Sequence, residues 1–449
     1  MKITLLAALS VLAMLMASAC GAGAIPTDPA ESAQADAPLE ITFLNYSKAD
    51  VVPNGKNLFD NMIDQYKLVE PNVIIKNEIF AEKTSVEFLT KLDMLQLTGV
   101  TADVIHIPSY REYALRVRQG FFYPISEFVQ AEGINYDSVY SYPSEIDGEY
   151  YGVPFEPGIY GVLINKDMLD AAGLPLPKEG WTWDDYADYA KKMTKGSGTN
   201  KVYGSFMHSW NEFKREGLFN VVMDNPYVKP DGSSNLDSKY FGEWLQYMYD
   251  LENKDKSQWP YSEVIASSLH YRDMFVQGKT AMIPIGTWMV DICINPEAYP
   301  HDFPAAFAPF PVFSDGKPGV TQGSASYFVV GANTTSEKAK AAYDFIRWLS
   351  GDGAVASNRF PATRDGDLIS VLKAKVGDRT NMIDVQSVID MWTSPNLVVN
   401  IIGRDSTLFS EIDAVYNAEA ELFLLGSQDL ETTLKNIREK GQAIIDSAR

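Results

Sequence analysis

Leu39-Glu40-Ile41-Thr42-Phe43-Leu44 opens a stretch that runs through Val73-Ile74-Ile75 to Val104-Ile105-His106-Ile107, and segments of a different period separate its apolar runs. Between the first two runs, Leu58, Phe59, Met62, Ile63 and Tyr66 recur at the spacing that places them on one face of a helix. Between the second and third, Thr84 and Glu87 have capping-box spacing, Leu89, Leu92 and Leu95 carry a helix, and Gly99 stops it. The last run is short and continuously apolar, as in a strand of a parallel sheet covered on both faces. Strand, helix, strand, helix, strand predicts an α/β lobe on a parallel or mixed sheet.

A second pattern of the same kind follows. Tyr151-Gly152-Val153-Pro154 interrupts the alternation, and Val162-Leu163-Ile164 is another buried-strand run. Thr182 caps a helix whose first turn carries Asp184 and Asp185, favourable to the helix dipole. Trp183, Tyr186, Ala187, Ala190 and Met193 give that helix its apolar face. Thr334 or Thr335 starts a helix through Ala342, Phe345, Ile346 and Leu349 to Gly351, and the chain from Ser410 is helical again. A chain of 449 residues is too long for one simple core. No internal repeat of solenoid period is visible.

The N-terminus sets the context. Lys2 precedes an apolar stretch, Ile3 to Met16, of signal-peptide length and too short to span a bilayer comfortably. Ala17-Ser18-Ala19-Cys20 then resembles the lipobox of bacterial lipoproteins, with Ala17 where Leu is usual. That reading removes residues 1–19 and puts a lipid on Cys20. The alternative is an ordinary secretory signal cut after Ala19, with Cys20 a spare thiol. The other cysteine, Cys293, reads as a small buried hydrophobe. Gly21 to Pro38 is rich in Ala, Gly, Pro, Ser and Asp, so residues 20–38 read as an anchored, flexible tether with a reach of roughly 20–25 Å. The body is expected outside the cell membrane and tied to it.

Charge and motif content exclude several functions. With 38 basic and 59 acidic residues the net charge is −21, which opposes binding to nucleic acid. The four histidines lack metal-site spacing and no cysteine cluster exists, so neither a metal nor a cofactor is expected. Gly278-Lys279-Thr280 resembles the end of a phosphate loop, but Asp273 stands where its first glycine must be. Gly323-Ser324-Ala325-Ser326 lacks the glycine that a nucleophile elbow requires. A glycosidase carboxylate pair stays open on counting alone, since acids are plentiful. Aromatic residues make up 12% of the chain, which suits either core packing or stacking on sugar rings.

Asp147-Gly148-Glu149-Tyr150-Tyr151-Gly152-Val153-Pro154 is followed by Tyr160 to Asp167, Ala172-Gly173-Leu174, Trp181-Thr182-Trp183-Asp184-Asp185 and Lys191-Lys192-Met193-Thr194. This run resembles the signature of family 1 extracellular solute-binding proteins, the receptors of ABC importers typified by maltodextrin-binding proteins. Four further blocks keep the family's order: Leu97–Ile105, Phe275–Trp288, Ala308–Pro311 and Ala341–Leu349. Ile164 departs from it, standing where the family often has Tyr. The resemblance runs from residue 39 to the end. It implies a two-lobed α/β fold of the periplasmic-binding-protein type (type II), with a ligand cleft between lobes joined by hinge crossovers. Candidate hinges lie near Val153–Gly158, Pro311–Gly319 and Gly351–Pro361. The lobes are then 39–154 plus 318–352 and 155–317 plus 353–449.

The resemblance also implies a carbohydrate ligand, for which chain length and aromatic content favour an oligosaccharide, and ABC permease subunits as partners of a monomeric, non-enzymatic receptor. It places Trp288 where the family's sugar-stacking Trp follows a Gly; a core Trp is the alternative. Tyr110 and Arg111 follow the strand ending at Ile107, and Tyr46 and Lys48 follow the first strand, in positions of family ligand contacts. Glu82 follows the strand near Phe80. Glu156 and Tyr160 flank the first hinge, Trp210 lies in a loop after Phe206, Ser324 lies past the second hinge, and Arg364 follows the Phe360-Pro361-Ala362 turn. For each of these a surface or packing role is the alternative. The rival functions are a secreted glycoside hydrolase and a receptor for a non-sugar solute such as a polyamine, a phosphorylated glycerol or a peptide.

Overall fold

The computed structural model of the chain describes residues 37–46, 56–80, 85–99, 102–221, 225–401 and 408–448. The opening stretch folds as its periodicity predicts: β1 (Leu39–Asn45), α1 (Leu58–Val69), β2 (Val73–Ile79), α2 (Ser85–Leu97), β3 (Val104–Ile107) and α3 (Tyr110–Arg118). β1 pairs in parallel with both β2 and β3. α1 buries Leu58, Phe59, Met62 and Tyr66, the face read from spacing. Thr84 lies outside the described residues, so the α2 capping box is not described, but Gly99 adopts the left-handed φ of +77° that a helix stop requires.

Two short strands, β4 (Glu145–Ile146) and β5 (Glu149–Tyr150), form a separate ribbon. The chain then enters β6 (Gly152–Asn165), and the structure corrects one expectation here. Gly152-Val153-Pro154 does not interrupt the pattern; one strand continues through it without a break. Pro154 is tolerated because the extended φ that its ring imposes is compatible with a strand. The remaining strands are β7 (Tyr203–Ser205), β8 (Thr280–Gly286), β9 (Ala305–Ala308), β10 (Val320–Val330) and β11 (Val398–Asn400). The order β2-β1-β3-β10-β6-β8-β7 is continuous, with β9 on β6 and β11 on β10.

This sheet serves two lobes. The first part of β6 pairs with β10, and its second part, Tyr160–Ile164, pairs with β8. Alternate residues of β10 therefore face different cores. Phe328 and Val330 join Phe43, Phe59 and Phe345, while Tyr327 and Val329 join Phe88, Tyr110 and Tyr113 on the opposite face. Those two cores flank the first lobe's sheet. A third and larger core, holding Val162, Leu163, Trp183, Trp244, Phe307 and Tyr416, builds the second lobe. Thr182 caps the helix Trp183–Met193 with a complete capping box to Asp185. Cys293 is fully buried in the second lobe's core, as a small hydrophobe would be. No helix among the described residues is long and apolar enough to cross a membrane.

Candidate functional site

β6 and β10 pass from one lobe to the other side by side, and the chain is irregular where they do. The pairing shifts between Ser324 and Ser326, and Glu156 in the bulged strand has a φ of +47°. Gly158 follows. A Cβ there would stand 2.9 Å from Thr287 Oγ1 and 3.0 Å from Ser324 Oγ, so two hydroxyls flank a position that has no side chain. Tyr142 donates its hydroxyl to the Gly158 carbonyl at 2.6 Å.

Beside this crossing stands a wall of aromatic rings. β8 ends at Gly286, and the chain turns back so that the Trp288 ring covers Gly286 itself: a Cβ there would lie 1.8 Å from the indole. Trp288 is half-buried against the second lobe's core, edge-on to Tyr160 with ring centres 5.3 Å apart. Its Nε1 donates to the Tyr271 hydroxyl at 3.2 Å. Tyr271 is the hub, with Trp210 at 5.2 Å, His208 at 5.4 Å and His270 at 4.3 Å between ring centres. His208 Nδ1 accepts from the Trp210 backbone N–H, so this nitrogen carries no proton. Burial lowers the His208 pKa to about 3 and that of His270 to about 4, and it raises the Tyr271 phenol to about 12. The wall is uncharged at neutral pH.

The charges nearby are paired with one another. Arg359 Nη1 donates to Glu156 at 3.0 Å and to Asp291 at 2.9 Å, and Lys375 Nζ donates to Asp291 at 2.6 Å. Burial opposes ionisation of Asp291, but Arg359 and Lys375 outweigh it and hold the carboxyl below its ordinary range. Arg111, at the start of α3, donates to Glu112 at 2.8 Å.

The sequence-predicted residues divide accordingly. Trp288, Tyr160 and Trp210 fall together, and Ser324 and Glu156 lie at the crossing. Tyr110 is buried between Tyr113 and Tyr327 in the first lobe, which is the packing alternative. Tyr46 stacks on His106 at 5.2 Å. Arg364 is exposed and its Nε donates to the Asp137 carbonyl in the first lobe. Lys48, Glu82 and Cys20 lie outside the described residues. Sequence reading missed Tyr271, His208, Thr287 and Asp291. His270-Tyr271 just ahead of the Phe275–Trp288 block was the available signal, but no spacing tells which ring would meet Trp288.

Residues 54–356 match the family described as bacterial extracellular solute-binding protein. The chain belongs to that family. Among its relatives is the putative ABC transporter periplasmic-binding protein YcjN of Escherichia coli K12, 23% identical over 434 residues, which span 90% of this chain and 93% of that one. Two solved structures show the two-lobed fold. One is Lmo0181 from Listeria monocytogenes in complex with cycloalternan (TM-score 0.71, 20% identity, 91% of this chain and 99% of that one). The other is UgpB from Mycobacterium tuberculosis in complex with glycerophosphocholine (TM-score 0.70, 16% identity, 91% and 99%). Members of the solute-binding protein family are receptors.

Proposed function

We propose that this solute-binding protein captures an uncharged carbohydrate, an oligosaccharide by preference, and delivers it to the permease of an ABC importer. The observation that carries the reading is the neutral aromatic cluster in which Trp288 and Trp210, both part-exposed, stand on buried Tyr160 and Tyr271 beside the polar groups of the crossing. Sugar rings present C–H faces that pack on aromatic rings, and their hydroxyls suit Thr287, Ser324, Glu156 and Asp291. Among the described residues here, Arg111, Arg359 and Lys375 each have a carboxylate partner. A phosphate-bearing solute would have to break one of those pairs, at the cost of leaving a carboxylate uncompensated.

Capture works by lobe closure: contacts to both lobes favour the closed state, by no more than the solute's differential affinity for it. The receptor performs no covalent chemistry and acts as a monomer. Lipid on Cys20 and the tether to Pro38 hold it at the outer face of the cell membrane. The lobes are proposed to divide at residues 154, 317 and 352. A thermal-shift panel of neutral oligosaccharides, glycerophosphodiesters and polyamines tests the ligand class, because a tight ligand raises apparent stability by mass action. A shift with a neutral saccharide alone supports the reading; a shift with a glycerophosphodiester alone overturns it. Loss of detergent-phase partitioning in Cys20→Ser tests the anchor.

A further inference from the structure

Arg111 and Asp413 belong to different lobes and meet across the gap between them. Arg111 stands in α3, whose Tyr110, Tyr113 and Val117 pack in the first lobe. Asp413 stands in the helix Phe409–Leu424, whose Ile412 and Tyr416 pack in the second. Arg111 Nε and Asp413 Oδ2 are 3.7 Å apart. Both atoms are buried, and neither has a hydrogen-bond partner among the described residues. The other carboxylate oxygen, Oδ1, accepts from Arg215 Nη1 at 2.7 Å and from the Tyr227 hydroxyl at 2.6 Å. Asp413 is thus fixed in the second lobe with Oδ2 facing Arg111, and Glu112 accepts a hydrogen bond from Arg111.

We propose that this pair is a latch between the lobes: a small further closure turns the 3.7 Å ion pair into a charge-assisted hydrogen bond of about 2.8 Å, which stabilises the closed state. Arg111 is then a positioning residue that acts on closure through Asp413, in place of the ligand contact expected from sequence. The physical reason is the asymmetry of ordering. An exposed ion pair contributes little because both side chains must be immobilised. Here Asp413 is wholly buried and already held, and Arg111 is three-quarters buried and held by Glu112, so closure orders little more. At the present 3.7 Å spacing both atoms are desolvated without a hydrogen bond among the described residues, which is unfavourable and is relieved when the pair closes.

The test uses the full chain without any solute and therefore does not depend on what the receptor captures. Small-angle X-ray scattering compares wild type with Arg111→Gln and Arg111→Lys, each checked for an unchanged melting profile. The latch predicts a larger radius of gyration for Arg111→Gln and a partial return toward the wild-type value for Arg111→Lys, which keeps the charge. Asp413→Asn, where it folds, should open the lobes as far as Arg111→Gln, and the double variant no further. Identical scattering from wild type and Arg111→Gln would overturn the proposal, as would an additive effect in the double variant.

Discussion

The Trp288 indole occupies the space above Gly286 so closely that a methyl group there would sit 1.8 Å from the ring. The glycine is what lets β8 end beneath the aromatic wall and the indole fold back over it. Gly286→Ala should therefore push Trp288 off Tyr160 and Tyr271 and destabilise the second lobe by about 1–3 kcal/mol, the usual cost of overpacking. Denaturant unfolding checks the stability, and loss of solute binding checks the displacement. An unaltered protein would show that the ring moves aside without consequence.

Trp288→Ala should weaken solute binding by about 2 kcal/mol or more, as expected when a buried aromatic anchor is removed. Trp288→Phe keeps a ring but loses the hydrogen bond to Tyr271, and should lie between. Calorimetry on the two variants separates stacking from positioning; equal affinity in all three proteins would remove Trp288 from the site.

Two kinds of buried titratable group give stability opposite pH dependences. Burial lowers the His106 pKa to about 3, and neither ring nitrogen has a hydrogen-bond partner among the described residues. The folded state keeps His106 neutral, while the unfolded chain takes up a proton below about 6.5. Its contribution is fully present above that pH and is lost as pH falls toward 3, at about 1.4 kcal/mol per pH unit where only the unfolded form is protonated. His208 and His270 act in the same direction. Replacing His106 by Phe, among Phe59, Phe155 and Phe328, should flatten the acid limb of unfolding free energy against pH.

Glu216 works the other way. Its carboxyl is fully buried with no hydrogen-bond partner among the described residues, and burial first, then the neighbouring Glu212, raises its pKa well above the ordinary value. The folded state holds the proton and the unfolded chain releases it above about 4.3. Stability from this group is complete below that pH and declines as pH rises. Glu216→Gln should raise the melting temperature at pH near 8 and change it little at pH near 4. An equal effect at both would contradict a protonated Glu216.

What the sequence disclosed follows from what periodicity encodes. Leu58, Phe59, Met62 and Tyr66 mark a helix face because burial of one face requires that spacing, and the structure buries those residues. The block around Trp288 singled that residue out, and the structure sets its ring against Tyr160 and Tyr271. Tyr110 was read as a ligand contact with packing as the alternative; Ser109 and Glu112 have the spacing of a helix start, and that helix turns the Tyr110 ring into the core. Continuity of β6 through Pro154 was hidden for the same reason, since a proline reads as a break until the neighbouring strands are known. The meeting of Tyr271 with Trp288, and of Arg111 with Asp413, depends on how distant segments pack, and no spacing records it.

The most direct measurement is calorimetric titration of the mature protein with a neutral oligosaccharide that stabilises it in the panel, followed by mass analysis of the recovered sugar. The account predicts saturable one-to-one binding, lost in Trp288→Ala, with the sugar recovered intact. Cleaved sugar would make the protein a hydrolase, and saturable binding of a glycerophosphodiester with no response to any neutral saccharide would contradict the proposed ligand class.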